Sequence, residues 1–194
     1  MAVPPPIDAR RAAVLVIDMQ RDFVDPGAPI AAPGAMDLVP RINRLTARAR
    51  TLGMPVVFTQ EMHRADKSDF GIELEFEPSH CLEGTPGMEL TERLEVASTD
   101  YRVLNKRRYD AFLGTDLETL LRSLRVENLL VAGVCTDICV SSTVQHARNL
   151  DFRCYVIQDC VAGTSAERHA AALLCLGHVF GYVVCLADVE KALG

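Results

Sequence analysis

Polar side chains of three different chemistries stand where apolar runs stop. Asp18 follows AAVLVI, Lys106 closes DYRVLNK, and Cys139 lies just beyond NLLVAGV in GVCTDICV, a segment that also holds Cys135. A thiol that ionises attacks carbonyl carbon, a carboxylate can take its proton, and an ammonium beside the sulfur favours the thiolate. With Thr136 as a helix N-cap, Asp137, Ile138 and Cys139 occupy the first helical positions, where free N–H groups and the helix dipole favour an anion. Spacing alone also allows plainer roles. Cys139 can be a buried core residue, Asp18 a turn cap and Lys106 one of the solvated cations of NKRRYD, while Cys135 reads as core.

The elements that must position these residues are short β-rich runs: 12 to 18, 54 to 60, 100 to 106, 128 to 134, 152 to 159 and 180 to 186. Continuous apolar runs suit strands covered on both faces. Between them apolar residues recur at helical spacing. Met36, Val39, Ile42, Leu45 and Ala49 lead to a stop at Gly53, and Leu117, Leu120, Leu121 and Leu124 form a second set. Val140, Thr143, Val144 and Ala147 share a third face, and Ala166, His169, Ala170 and Leu173 a fourth. Strand and helix alternate, so the predicted fold is a three-layer α/β/α domain with a six-stranded, mainly parallel, Rossmann-like sheet. In such sheets ligands bind beyond the carboxyl ends of the strands, the edge that collects Asp18, Gln60, Glu61, Lys106, Val134 and Cys135. Residues 61 to 99 interrupt the alternation as a long functional loop with one short helix near 87 to 94.

The 194 residues suit one domain over 12 to 194, preceded by a flexible, proline-rich arm over 1 to 11. A net charge of −6 without long blocks of one sign gives no reason to expect nucleic acid or a membrane surface as partner. Neither a signal peptide nor a long apolar span is evident, and a cytoplasmic setting is expected. The seven cysteines form no CxxC pair and read as reduced thiols. Paired as a redox switch, Cys135 and Cys139 would span a strand-to-helix turn poorly suited to a disulfide. The turn after the first strand is DMQRDF rather than GxGxxG, so no dinucleotide or other organic cofactor is expected.

The segments VLVIDMQRDFV, NKRRYDAFLGTDLETLLR and VAGVCTDICVSSTVQHAR together resemble the cysteine hydrolases of the isochorismatase-like superfamily, which includes nicotinamidases. The likeness runs from about residue 12 to 187. It implies a catalytic triad of Asp18, Lys106 and Cys139, and a non-proline cis peptide between Val134 and Cys135 that helps form an oxyanion hole. Lys106 would support the thiolate, Asp18 would shuttle the proton, and the sulfur would form a thioester. Isochorismatases proper cleave a vinyl ether and lack this cysteine, so the implied reaction is C–N cleavage of a small amide.

The same resemblance, to the metal-binding nicotinamidases, implies a divalent ion (Zn, Fe or Mn) held by Glu61, His63, Glu73 and His80. Glu61 replaces the usual aspartate, and Lys67 occupies an alternative ligand position. Charged residues in ELEFE and a loop histidine can equally face water. The chain has no Trp, and Met62 stands where one is often found, which leaves Phe23, Tyr109 and Phe112 as candidate substrate walls. Relatives of this kind act on nicotinamide, carbamoylated amines or ureides, and assemble as homo-oligomers.

Overall fold

The computed structural model describes residues 3–194. Six strands form one sheet in the order β3-β2-β1-β4-β5-β6, every neighbouring pair parallel. They are β1 Ala12–Ile17, β2 Val56–Glu61, β3 Tyr101–Lys106, β4 Asn128–Val134, β5 Arg153–Ala162 and β6 Tyr182–Val184. The helices are α1 Arg21–Val24, α2 Ala35–Thr51, α3 Leu117–Ser123, α4 Ser141–Asn149, α5 Ala166–Cys175 and α6 Leu186–Ala192. Strand alternation explains the three layers. Ala12, Val14 and Val16 join the core beneath α2 and α6, whereas Ala13, Leu15 and Ile17 join the core beneath α3 and α4.

The sheet grows outward in opposite directions from β1 and β4, which makes the gap between their carboxyl ends the topological switch point. Gly133 allows the two strand ends to meet. It pairs with Ile17, its φ is 115°, and a Cβ there would lie 2.0 Å from the Ile17 carbonyl oxygen. Asp18 then turns out of β1 at φ 50°, a left-handed conformation that aspartate tolerates better than most residues.

Several local expectations change. The short helix expected near 87 to 94 shrinks to a 3-10 turn at Pro86–Met88, since backbone N–H groups such as Thr91 bond to distant carbonyls instead. The strand expected over 180 to 186 is only Tyr182–Val184, and the unforeseen helix α6 begins at Leu186. Thr136 does not cap; it lies inside a π-helical turn, Thr136–Val140, and its hydroxyl pairs with His169 Nδ1 at 2.9 Å. Part of the expected arm, residues 1 and 2, lies outside the described residues. Of the remainder, Val3 is exposed, Ile7 and Ala9 pack against the core, and the Pro5 carbonyl accepts from the Tyr155 hydroxyl.

Candidate active site

Asp18, Lys106 and Cys139 converge at the switch point. Lys106 is fully buried, and its Nζ lies 2.6 Å from Asp18 Oδ2, 2.6 Å from Glu61 Oε2 and 3.7 Å from Cys139 Sγ. The sulfur is 4.0 Å from Glu61 Oε2, and ligand atoms of Asp18, Glu61 and Cys139 all lie within 4.8 Å of one another. The Thr59 hydroxyl donates to Asp18 Oδ1 at 2.6 Å. The Lys106 ammonium thus faces Oδ2, the carboxylate oxygen that Thr59 does not engage.

Burial governs the charges. It pushes the Asp18 carboxyl up, and Lys106 pulls it back only part of the way. Glu61 meets the same burial, but Lys106 and hydrogen bonds from His63 and His80 hold it well below its ordinary value. Lys106 stays well above its own because, against burial, Asp18, Cys139 and Glu61 all favour the cation. Burial pushes the Cys139 thiol well up; Lys106 opposes this, while Asp18 and Glu61 reinforce it. Lys106 thus favours the thiolate expected of a helix start, while burial and the two carboxylates work against it. Burial and then Asp137, Asp18 and Glu77 push the Cys135 thiol up to about 12. The peptide between Val134 and Cys135 is cis.

Glu61 also belongs to a second cluster. Its Oε1 is 2.9 Å from His80 Nε2 and 3.3 Å from His63 Nε2, while Glu73 Oε1 is 3.5 Å from His80 Nε2. The four ligand atoms of Glu61, His63, Glu73 and His80 fall within 4.8 Å of one another, and all four residues are buried. His80 Nδ1 faces the Pro78 carbonyl at 2.8 Å, so that nitrogen carries the hydrogen and Nε2 is the atom offered to the cluster. Glu73 Oε1 is buried without a hydrogen-bond partner. Two imidazoles and two carboxylates that converge in a buried site, with Glu73 Oε1 unpartnered, fit a divalent cation, which would replace the contacts of Glu61 to His63 and His80; Lys67 is not among them. Phe70 stacks on His63 at 3.7 Å, and Phe23 packs at 5.4 Å from the His80 ring.

A cavity of about 300 Å³ opens over both clusters. Phe23 and Tyr109 line it, as do Val134 and Cys135. Phe112 does not. It lies beneath α3 and α4, stacked at 5.9 Å on Phe152, in the core against which the partly buried Tyr109 also packs. Sequence reasoning missed Gln20, whose side chain accepts from the Glu61 N–H and donates to the Glu61 carbonyl, both at 2.7 Å. This clamp fixes the residue shared by the two clusters. The available signal was a polar run, TQE, ending a strand opposite DMQ.

A buried aspartate, lysine and cysteine at the switch point of a parallel sheet describe a cysteine hydrolase of the α/β/α class. The family model "Isochorismatase domain" matches residues 12–188, and the chain belongs to this family of isochorismatase-like hydrolases. It is 34% identical over 173 residues to a protein of Arabidopsis thaliana described as a probable inactive nicotinamidase, covering 85% of this chain and 87% of that one. Maleamate amidohydrolase of Pseudomonas putida is 30% identical over 187 residues, or 95% and 87% of the two chains. Among solved structures, pyrazinamidase of Pyrococcus horikoshii in complex with zinc is similar at a TM-score of 0.83 and 28% identity, over 90% of this chain and 99% of that one.

Proposed function

We propose that this protein hydrolyses the C–N bond of a small amide through a thioester on Cys139. The single observation that carries this reading is Lys106 Nζ held 2.6 Å from two carboxylates and 3.7 Å from a buried thiol. Sγ attacks the carbonyl carbon as Asp18 takes the thiol proton, and Lys106 offsets charge that would otherwise build on sulfur. Asp18 returns that proton to the departing amine as the C–N bond breaks. Water then attacks the thioester, Asp18 accepts its proton and delivers it to the sulfur, and the acid leaves.

Val134 and Cys135 form the wall beside the nucleophile, and the Cys135 N–H has no acceptor among the described residues. It is available to the carbonyl oxygen as one donor of an oxyanion hole. Phe23 and Tyr109 flank the substrate body. Glu61, His63, Glu73 and His80 would hold a divalent ion, which supplies a Lewis-acidic anchor that orients the ligand. The zinc in the Pyrococcus horikoshii pyrazinamidase structure supports that assignment. The likeness to maleamate amidohydrolase supports amide cleavage.

A homo-oligomer is consistent with α5, none of whose residues is buried within the chain and whose Leu174 is 77% exposed. Light scattering on wild type and Leu174→Glu tests this, with a loss of mass expected in the variant. For the reaction, ammonia release is measured from nicotinamide, N-carbamoyl amines, biuret and maleamate. At least one should be turned over by wild type and none by Cys139→Ala; an active Cys139→Ala enzyme refutes the scheme.

A further inference from the structure

We propose that the cavity selects small amides whose far end is neutral or cationic and rejects those that carry a carboxylate, with Glu77 as the residue that sets this preference. The inference rests on the amidohydrolase reading above and narrows its substrate class. The charged side chains that line the cavity are Glu61, Glu73 and Glu77, with the imidazole of His80; no Arg or Lys lines it. Lys106 lies behind the floor, already 2.6 Å from each of two carboxylates, and has no surplus charge to offer an anion. A divalent ion would be balanced by Glu61 and Glu73, and the negative charge of Glu77 would still remain.

Glu77 differs from the other two. It is half-buried, whereas Glu61 and Glu73 are buried, and its N–H donates to the Glu73 carbonyl at 3.0 Å. No cation pairs with its carboxylate among the described residues. Arg107 pairs with Glu83 and Asp69, Arg108 donates to the Asp69 and Arg107 carbonyls, and Arg168, at the exposed start of α5, reaches Thr164 Oγ1 at 3.3 Å; none of the three forms an ion pair with Glu77. The charge of Glu77 is felt across the cavity. Burial, then Glu73, Glu61 and Glu77, push the Tyr109 phenol on the opposite wall up to about 12. Most of the remaining lining, including Phe23, Ile30, Pro33 and Ile138, is apolar and suits an uncharged body.

One unit charge across a partly screened pocket changes affinity by roughly tenfold. Nicotinamide (neutral), 1-methylnicotinamide (cationic), 3-carbamoylbenzoate (anionic) and maleamate (a smaller anion) form the test set. The wild type should favour the cation over either anion by at least roughly tenfold in kcat/KM. Glu77→Gln should cut that cation-to-anion ratio by about tenfold, and Glu77→Lys should cut it further or invert it. A wild-type preference for either anion, or a ratio unmoved in both variants, overturns the inference. The same compounds are also scored as protectants of Cys139 against iodoacetamide, which reads binding without turnover. Ammonia release from none of them, with the protection order still set by Glu77, would count against the amidohydrolase reading and leave the charge preference standing.

Discussion

Replacing Asp18 by asparagine should leave the fold intact and remove the chemistry. The amide can turn its oxygen toward Lys106 and its NH2 toward the Thr59 hydroxyl, whose oxygen can accept, so both contacts of the carboxylate keep a partner. Lys106 is not stranded, because Glu61 remains 2.6 Å away. Ionised Asp18, Glu61 and Lys106 together carry one negative charge, and the substitution brings the trio to neutrality. The sign of the Asp18 shift points the same way. A carboxyl whose folded pKa is raised disfavours folding once it ionises, so its removal relieves a cost at neutral pH. The variant should therefore unfold within about 1 kcal/mol of wild type, or above it. Turnover should fall by roughly 10²- to 10⁴-fold, the usual contribution of a positioned general base, or about 2.7 to 5.4 kcal/mol of barrier. In wild type the acid limb of kcat/KM should lie above the ordinary carboxylate range, with activity lost as pH falls through the raised Asp18 value; in Asp18→Asn that limb should vanish. Ammonia release, a pH profile and a thermal melt read all three. A folded Asp18→Asn enzyme within tenfold of wild type, with the limb in place, refutes the role of Asp18.

Protein purified without chelator should carry one divalent ion per chain, lost in His80→Ala and in Glu73→Ala by elemental analysis. Against the opposing effect of burial, Glu61 raises the proton affinity of His80, so protons should begin to displace the metal at a higher pH than for an ordinary histidine. Gln20→Leu strands the Glu61 N–H and carbonyl in the interior, and should cost about 1–3 kcal/mol per unpaired group in denaturant melts while weakening metal retention. Phe112→Leu should destabilise by about 1–3 kcal/mol with KM unchanged, whereas Phe23→Ala should raise KM, because only Phe23 lines the cavity.

The sheet and the convergence of Asp18, Lys106 and Cys139 were legible because unbroken apolar runs identify doubly covered strands, and parallel strands gather their carboxyl ends on one edge. Gln20 was hidden because its role depends on a partner strand pairing that DMQRDF alone does not reveal. Phe112 falls outside the cavity lining although only two residues separate it from Tyr109: both rings pack on the same core, and only Tyr109 also reaches the cavity. The surroundings of the sulfur also escaped the sequence. Helix-start electrostatics favour a thiolate, whereas burial, with Asp18 and Glu61 close by, pushes the Cys139 thiol up against the pull of Lys106. Loop 61 to 99 shows the same limit: its candidate ligand residues stand in a suggestive order, and only the folded path brings Glu73 beside His80.

The most direct measurement is acid-quenched, single-turnover mass spectrometry with an amide that the enzyme hydrolyses. The peptide containing Cys139 should gain the mass of the acyl group within the first turnover and lose it at the rate of acid formation. An acyl group found on another residue, or steady turnover with no adduct at any time point under conditions that accumulate one, would contradict covalent catalysis by this sulfur.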